Sequence, residues 1–187
     1  MKSRFTKYSD RELLILVNER GKSSEGAFNE LYRRYSDILY NFCFYMLGEE
    51  SAAQDIFQET FVNYLVKANP NPEKINVKAY LLQTAKHLCI NYKKKNQKMI
   101  SADHEFDLLQ YIPEFEDFEM EDVLKNAIDM LEDKYKEAFI LREIEELSYK
   151  EIGKILDISW SGAQSRVVRA KKKLMKILKP YIKNIYI

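Results

Sequence analysis

The chain of 187 residues is long enough for one domain or two small ones, at roughly 100–200 residues per domain. With 46% hydrophobic and 32% charged residues but only 5 Gly and 4 Pro, it is too apolar and too poor in chain breakers to be disordered or collagen-like. The net charge is +1, and the longest uncharged run, residues 38–48, falls well short of the ~18 residues of a membrane span, so no membrane insertion is expected.

Residues 1–10 mix Lys2, Arg4, Lys7 and Asp10 with no apolar run, which predicts no secretory signal and a cytoplasmic protein. Helical spacing recurs throughout and no strand-period alternation appears, so the expected fold is all-α. Ser9 with Glu12 forms a capping box for a short helix over 10–19. A long helix follows over 25–47, stopped by Gly48, with Phe28, Leu31, Tyr32, Tyr35, Leu39, Phe42 and Met46 as its core stripe. Ser51 with Gln54 reads as a second capping box, opening a helix to about residue 67. The prolines of Asn-Pro-Asn-Pro at 69–72 break the chain into a loop, and Asn76 caps a helix over 77–97 that turns Leu81, Ala85, Leu88 and Tyr92 inward. Residues 101–118, with Pro113 near the middle, read as a linker with at most a helical turn at 107–111. Helices over 121–131, 135–145, 149–156 and 160–183 complete the chain. Ser148 with Glu151 caps the third of these, and Asp157-Ile158-Ser159 then gives the three-residue turn of a helix-turn-helix, with Ser159 as a fresh cap. Cys43 and Cys89 have no CxxC spacing and are expected to be small buried hydrophobes.

The charges are segregated along this scaffold. Residues 79–99 carry five cations and no acid, residues 158–187 carry eight cations and no acid, and residues 101–122 between them carry nine acids and no cation. Two basic patches around an acidic segment suggest two sites for a polyanion; solvated helix faces are the plain alternative. The last helix has the further pattern of a groove-reading helix. Ala163, Val167, Ala170 and Leu174 form an inward stripe, leaving Ser161, Gln164, Ser165, Arg166 and Arg169 outward or flanking. Gln164 suits adenine, Arg166 suits guanine or phosphate, the serines suit phosphate oxygens, and Lys171, Lys172 and Lys173 suit the backbone. Gly153 stands where close packing requires a small residue. The competing reading of this region is an amphipathic helix pair that packs on another protein.

Residues 147–174, LSYKEIGKILDISWSGAQSRVVRAKKKL, resemble the promoter-recognising C-terminal domain of bacterial sigma factors of the extracytoplasmic-function (ECF) subgroup of the sigma-70 family. The N-terminal half is similar to the same family: DIFQETF at 55–61 resembles its polymerase-binding helix, and AYLLQTAKHLCINYKKK at 79–95 its helix for melting and reading the minus-10 element. The resemblance implies two small helical domains, residues 1–98 and 122–187, joined by an acidic linker over 99–121. It implies that Asp55, Gln58 and Glu59 bind core RNA polymerase while Phe57, Phe61 and Tyr64 hold their helix in the bundle; a solvated face is the alternative for the three polar residues. It implies that Tyr80, Lys86, Asn91, Tyr92, Lys93, Lys94 and Lys95 receive single-stranded promoter DNA, which calls for aromatic platforms beside cations, and that the loop 69–76 captures a flipped base. Core packing is the alternative for Tyr80 and Tyr92. The C-terminal helix would read the minus-35 element through Ser161, Gln164, Ser165, Arg166, Arg169, Lys171 and Lys172.

The chain departs from the family pattern at Tyr80, where Trp is usual, at His87 and Asn91, where Asn and Asp are usual, and at Trp160-Ser-Gly-Ala-Gln164, where Val-Gly-Thr-Val-Lys is frequent. Gln164 removes a charge from the reading helix, so an unusual minus-35 element is expected. The resemblance also implies an anti-sigma partner, often membrane-anchored, which would occlude the polymerase-binding surface. The acidic linker either folds back over the basic domains or threads the polymerase's nucleic-acid channel.

Three functions compete at this level: a transcription initiation factor carrying core polymerase to promoter DNA, a stand-alone helix-turn-helix regulator, and an all-α adaptor that binds only proteins. An enzyme is not expected. There is no Gly-rich phosphate loop, no HExxH and no Cys/His cluster, and His87 and His104 lack a partner at short spacing, so no catalytic residue, metal or cofactor is assigned.

Overall fold

In the computed structural model, residues 4–66, 75–100 and 120–183 are described; the loop around 69–72 and the linker with its turn at 107–111 lie outside them. Every regular element among the described residues is helical: a 3₁₀ turn Arg4–Lys7, then α1 (Asp10–Asn18), α2 (Ser24–Leu47), α3 (Glu50–Val66), α4 (Val77–Ile100), α5 (Met120–Asp129), α6 (Asp133–Phe139), a wide π-type turn Ile140–Ile144, α7 (Tyr149–Leu156) and α8 (Trp160–Lys183). None of these helices is long and apolar enough to cross a membrane.

Local chemistry sets most of the boundaries. The Ser9 and Ser148 capping boxes are both made, each serine side chain accepting from the backbone N–H of the glutamate three residues on while that glutamate accepts from the serine N–H. Gly48 ends α2 in the left-handed conformation at φ 75°, its N–H donating to the Phe44 carbonyl. Asn76 Oδ1 accepts from the Ala79 N–H at 2.9 Å and starts α4. The Ser51–Gln54 box is not made. Helix α3 begins two residues earlier than a Ser51 cap would place it, at Glu50, so Ser51 is already helical and its hydroxyl donates to Glu49, while Gln54 donates to Glu50. The single helix expected over 135–145 is α6 followed by the π-type turn, which widens the backbone under the buried Ile140 and Leu141.

Helices α2, α3 and α4 enclose the main core, with Leu31, Leu39, Phe42, Cys43, Met46, Ala53, Ile56, Phe61, Leu81, Leu82, Ala85 and Cys89 buried. Both cysteines are free and fully buried, as small hydrophobes would be. Tyr32 departs from the expected core stripe: it is 41% exposed and lies over the rings of Phe57 and Phe61 at the surface. Glu30, by contrast, is buried on that helix, because Arg33 and Arg34 hydrogen-bond its carboxylate. The Arg33 hydrogen bond holds the Glu30 carboxyl below the usual carboxylate range. Arg34 also reaches Asp10 and the Thr6 and Tyr8 carbonyls, tying the N-terminal turn and α1 to α2.

The C-terminal helices do not stand apart. Ala138, Ile140, Leu141, Leu147, Ile152, Ile155, Leu156, Ala163 and Val167 continue the same buried cluster as α2–α4. A second, smaller cluster joins α5 to α8 through Ala127, Ile128, Leu131, Tyr135, Ala170 and Leu174.

Candidate nucleic-acid and polymerase interfaces

The reading helix is positioned by a turn whose geometry the sequence imposes locally. Asp157 adopts the left-handed conformation at φ 55°, and the Asp157 and Ile158 N–H groups both return to the Gly153 carbonyl. A Cβ at Gly153 would lie 2.8 Å from the Ile158 carbonyl oxygen, so the small residue serves the turn itself. Ser159 Oγ then accepts from the Gly162 N–H at 3.0 Å and opens α8. Ala163, Val167, Ala170 and Leu174 are buried as the stripe predicts, which fixes the rotation of the helix about its axis.

That rotation leaves Ser161, Gln164, Ser165, Arg169, Lys171 and Lys172 exposed, with Arg166 half-buried at the flank. Among the described residues no hydrogen bond or ion pair engages the side chains of Gln164, Ser165 or Lys172. The others are partly occupied within the domain. Lys171 pairs with Glu143 at 2.7 Å, and the Arg169 guanidinium lies beside the Tyr135 hydroxyl, lowering its pKa from the ordinary tyrosine value. Lys173 pairs with Glu132, whose carboxyl is pulled down to about 2 by Lys134 first and Lys173 second. Two exposed apolar residues complete the outward strip. Trp160 is 55% exposed with its ring edge-on to Tyr149, and Val168 is 44% exposed between Ser165 and Lys172. An apolar side chain on such a face suits a thymine methyl group. Sequence patterning passed over both; an apolar residue at 3–4 spacing from the polar strip was the available signal.

On α4, Tyr80 and Tyr92 are half-buried against the core, Tyr80 with its ring 6.0 Å from that of Tyr64. Both pack against the core and remain partly exposed. Asn91, Lys94 and Lys95 are exposed, whereas Lys86 and Lys93 are half-buried. Lys93 is already paired, its Nζ 2.6 Å from Asp133 Oδ1 at the start of α6.

On α3 the 3-4 spacing brings Asp55, Gln58 and Glu59 onto one exposed face, with Val62 also exposed one turn further on. Phe57, Phe61 and Tyr64 are buried on the opposite side, as the motif requires. The three candidate surfaces therefore differ in kind: acidic and polar on α3, cationic on α4, and mixed polar, apolar and cationic on α8.

Comparison with known proteins gives this arrangement its context. Residues 31–99 match the model of Sigma-70 region 2, and residues 121–174 match that of Sigma-70, region 4. The chain is similar to the ECF RNA polymerase sigma factor SigM of Bacillus subtilis, 29% identical over 152 residues, covering 79% of this chain and 93% of that protein. It is also similar to SigW of the same organism, 29% identical over 177 residues and covering 87% and 95%. In three dimensions it resembles the sigma factor RpoE of Bartonella quintana, solved with the anti-sigma factor NepR, at a TM-score of 0.63 and 20% identity, covering 80% of this chain and 97% of that one. The chain belongs to the sigma-70 family of RNA polymerase sigma factors, in the ECF subgroup. It is a transcription initiation factor that directs polymerase to promoters, and it is not an enzyme.

Proposed function

We propose that the chain divides this task between residues 1–98, which bind core polymerase and open the minus-10 element, and residues 122–187, which read the minus-35 element, with 99–121 as the acidic link. The observation that carries this reading is the outward strip of α8. A buried alanine-valine-leucine stripe fixes the helix, and Gln164, Ser165 and Lys172 are left uncommitted beside Ser161 and Arg169. Gln164 supplies a bidentate amide for adenine, Val168 and Trp160 apolar contact with thymine, and Arg166, Arg169, Lys171 and Lys172 charge for phosphates. On α4, Asn91, Lys94 and Lys95 meet the melted strand first, joined by Lys86, Lys93 and the partly exposed Tyr80 and Tyr92. Asp55, Gln58 and Glu59 form the polymerase contact on α3. The factor works in the cytoplasm, and an anti-sigma partner, often membrane-anchored in this family, restrains it. The Bartonella quintana neighbour, solved with its anti-sigma factor, supports that partnership.

Run-off transcription by core polymerase on fragmented genomic DNA, with and without the protein, tests the reading. Discrete new start sites are expected, sharing an upstream element that departs from the common family pattern. Duplex DNA binding with no new start would leave only the helix-turn-helix function standing.

A further inference from the structure

Trp160 is the only tryptophan of the chain and stands at the first position of α8, 55% exposed. Exposure alone says little, since single apolar residues on a surface are common; the way this ring is held says more. It meets the Tyr149 ring, at the start of α7, at 88° with the centroids 6.1 Å apart. Tyr149 in turn packs against the main core and carries the Arg142 guanidinium 4.8 Å from its ring centroid. Arg142 is itself anchored, donating to the Leu147 carbonyl at 2.8 Å. The next residue of the same π-type turn, Glu143, pairs at 2.7 Å with Lys171, about three helical turns beyond Trp160 on the same flank of α8. The turn and α7 thus brace this flank at two heights, and Trp160, Gln164 and Val168 follow one another along it at four-residue spacing.

A ring already held by an aromatic neighbour has little orientational freedom to lose on binding, so it suits a contact that depends on shape. The residues that open a reading helix are those that reach base edges in the major groove. Among the groups displayed there the thymine 5-methyl is the apolar one, and an indole that covers it takes apolar surface of both partners out of water. Trp160 stands about 6 Å along the helix axis from Gln164, under two base-pair steps of about 3.4 Å. We infer that Trp160 is a specificity-determining residue for the minus-35 duplex. Its indole covers the 5-methyl group of a thymine within about two base pairs of the base that Gln164 reads. Tyr149 is the positioning residue that sets the plane of the indole. The inference rests on the assignment of α8 to the minus-35 element and deepens it: a general apolar contact becomes a methyl requirement at one position, set by a residue that stands where Val is frequent in the family.

The test uses the full-length protein assembled with core polymerase and a duplex library randomised over about one helical turn of DNA; the duplex it binds best becomes the probe. Each thymine of that duplex is replaced in turn by uracil, which removes the methyl group and nothing else. One replacement is expected to weaken binding about 3–5-fold, the worth of a single methyl group returned to water. The same penalty is expected in Tyr149→Phe, which keeps the ring. In Trp160→Ala and in Tyr149→Leu that replacement should cost less than about 1.5-fold, because the indole is gone or no longer held. A uracil penalty that survives in Trp160→Ala places the methyl on another residue and overturns the proposal, as does a probe with no uracil-sensitive thymine. A penalty lost in Trp160→Ala but kept in Tyr149→Leu overturns the role given to Tyr149. If no sequence is enriched, or the enriched one is indifferent to Gln164→Ala, the minus-35 assignment of α8 falls and this inference falls with it.

Discussion

Helices α4 and α8 carry the two acid-free basic stretches of the chain, yet they present their charge differently. On α8 the outward Gln164 and Ser165 are uncommitted, and the acids nearby engage cations at the flanks: Glu143 holds Lys171 and Glu132 holds Lys173. On α4 the central cation Lys93 is paired across the domain interface with Asp133, leaving Lys94 and Lys95 free at the far end. The outward strip of α8 is largely uncommitted, whereas the cationic face of α4 is partly taken. A count of cations, five against eight, does not show this difference. Their availability depends on which acids the fold brings opposite.

The sharpest way to separate the two regions is to damage one alone. Gly153→Ala puts a methyl group 2.8 Å from the Ile158 carbonyl and must displace the turn that sets α8, at a cost of about 2 kcal/mol. Minus-35 duplex binding should fall while strand binding through α4 is retained, measured as paired anisotropy titrations; equal loss on both probes would mean that the regions are not separable. Next in size, Gln164→Ala should weaken the preferred upstream element by about 1–2 kcal/mol and relax specificity at a single base pair, read from binding to a panel of single-base variants. A uniform loss across the panel would instead place Gln164 on phosphate.

A smaller effect tests occupancy directly. In the free protein, Lys95→Ala should reduce the slope of log affinity against log salt for single strands by about 0.7, whereas Lys93→Ala, already neutralised by Asp133, should change it by much less. Equal slopes would show that the Lys93 pair opens in solution.

A further expected effect concerns pH. Burial pushes the Glu145 carboxyl up to about 7, with the Asn41 amide and the Lys78 charge opposing the shift and Asp37 of α2 adding to it. Its Oε1 has no hydrogen-bond partner. A carboxyl raised in the folded state favours that state fully below the ordinary value of 4.5, and this contribution fades as pH rises through about 7. Thermal melts should therefore show stability declining between pH 5 and pH 8, and Glu145→Gln should flatten that decline. An unchanged slope in the variant would assign it to another group.

Much of the fold was legible because its signals act within a turn or two of the chain. The Ser9 and Ser148 boxes, the Gly48 stop, the Asn76 cap and the inward stripe of α8 each depend on neighbours three or four residues away. The Ser51 box failed for the same kind of reason in reverse: Glu49 precedes α3, which starts at Glu50 and takes Ser51 inside. Tyr32 satisfied the helical period and is nevertheless exposed, because the period gives a direction and only the tertiary packing decides how deep it points: Tyr32 covers the Phe57 and Phe61 rings of α3 from the solvent side.

What the sequence determined alone, then, is the all-helical architecture, the helix-turn-helix with its outward polar strip, and the segregation of charge, all of which follow from caps, period and composition. What the tertiary structure decided is which charges are free. Asp133 meets Lys93 across 40 residues of sequence, and Lys136 meets the Met46 carbonyl across 90. Local propensity carries no information over such separations; the docking of one apolar face on another selects those partners and makes the burial of a charge such as Lys136 tolerable.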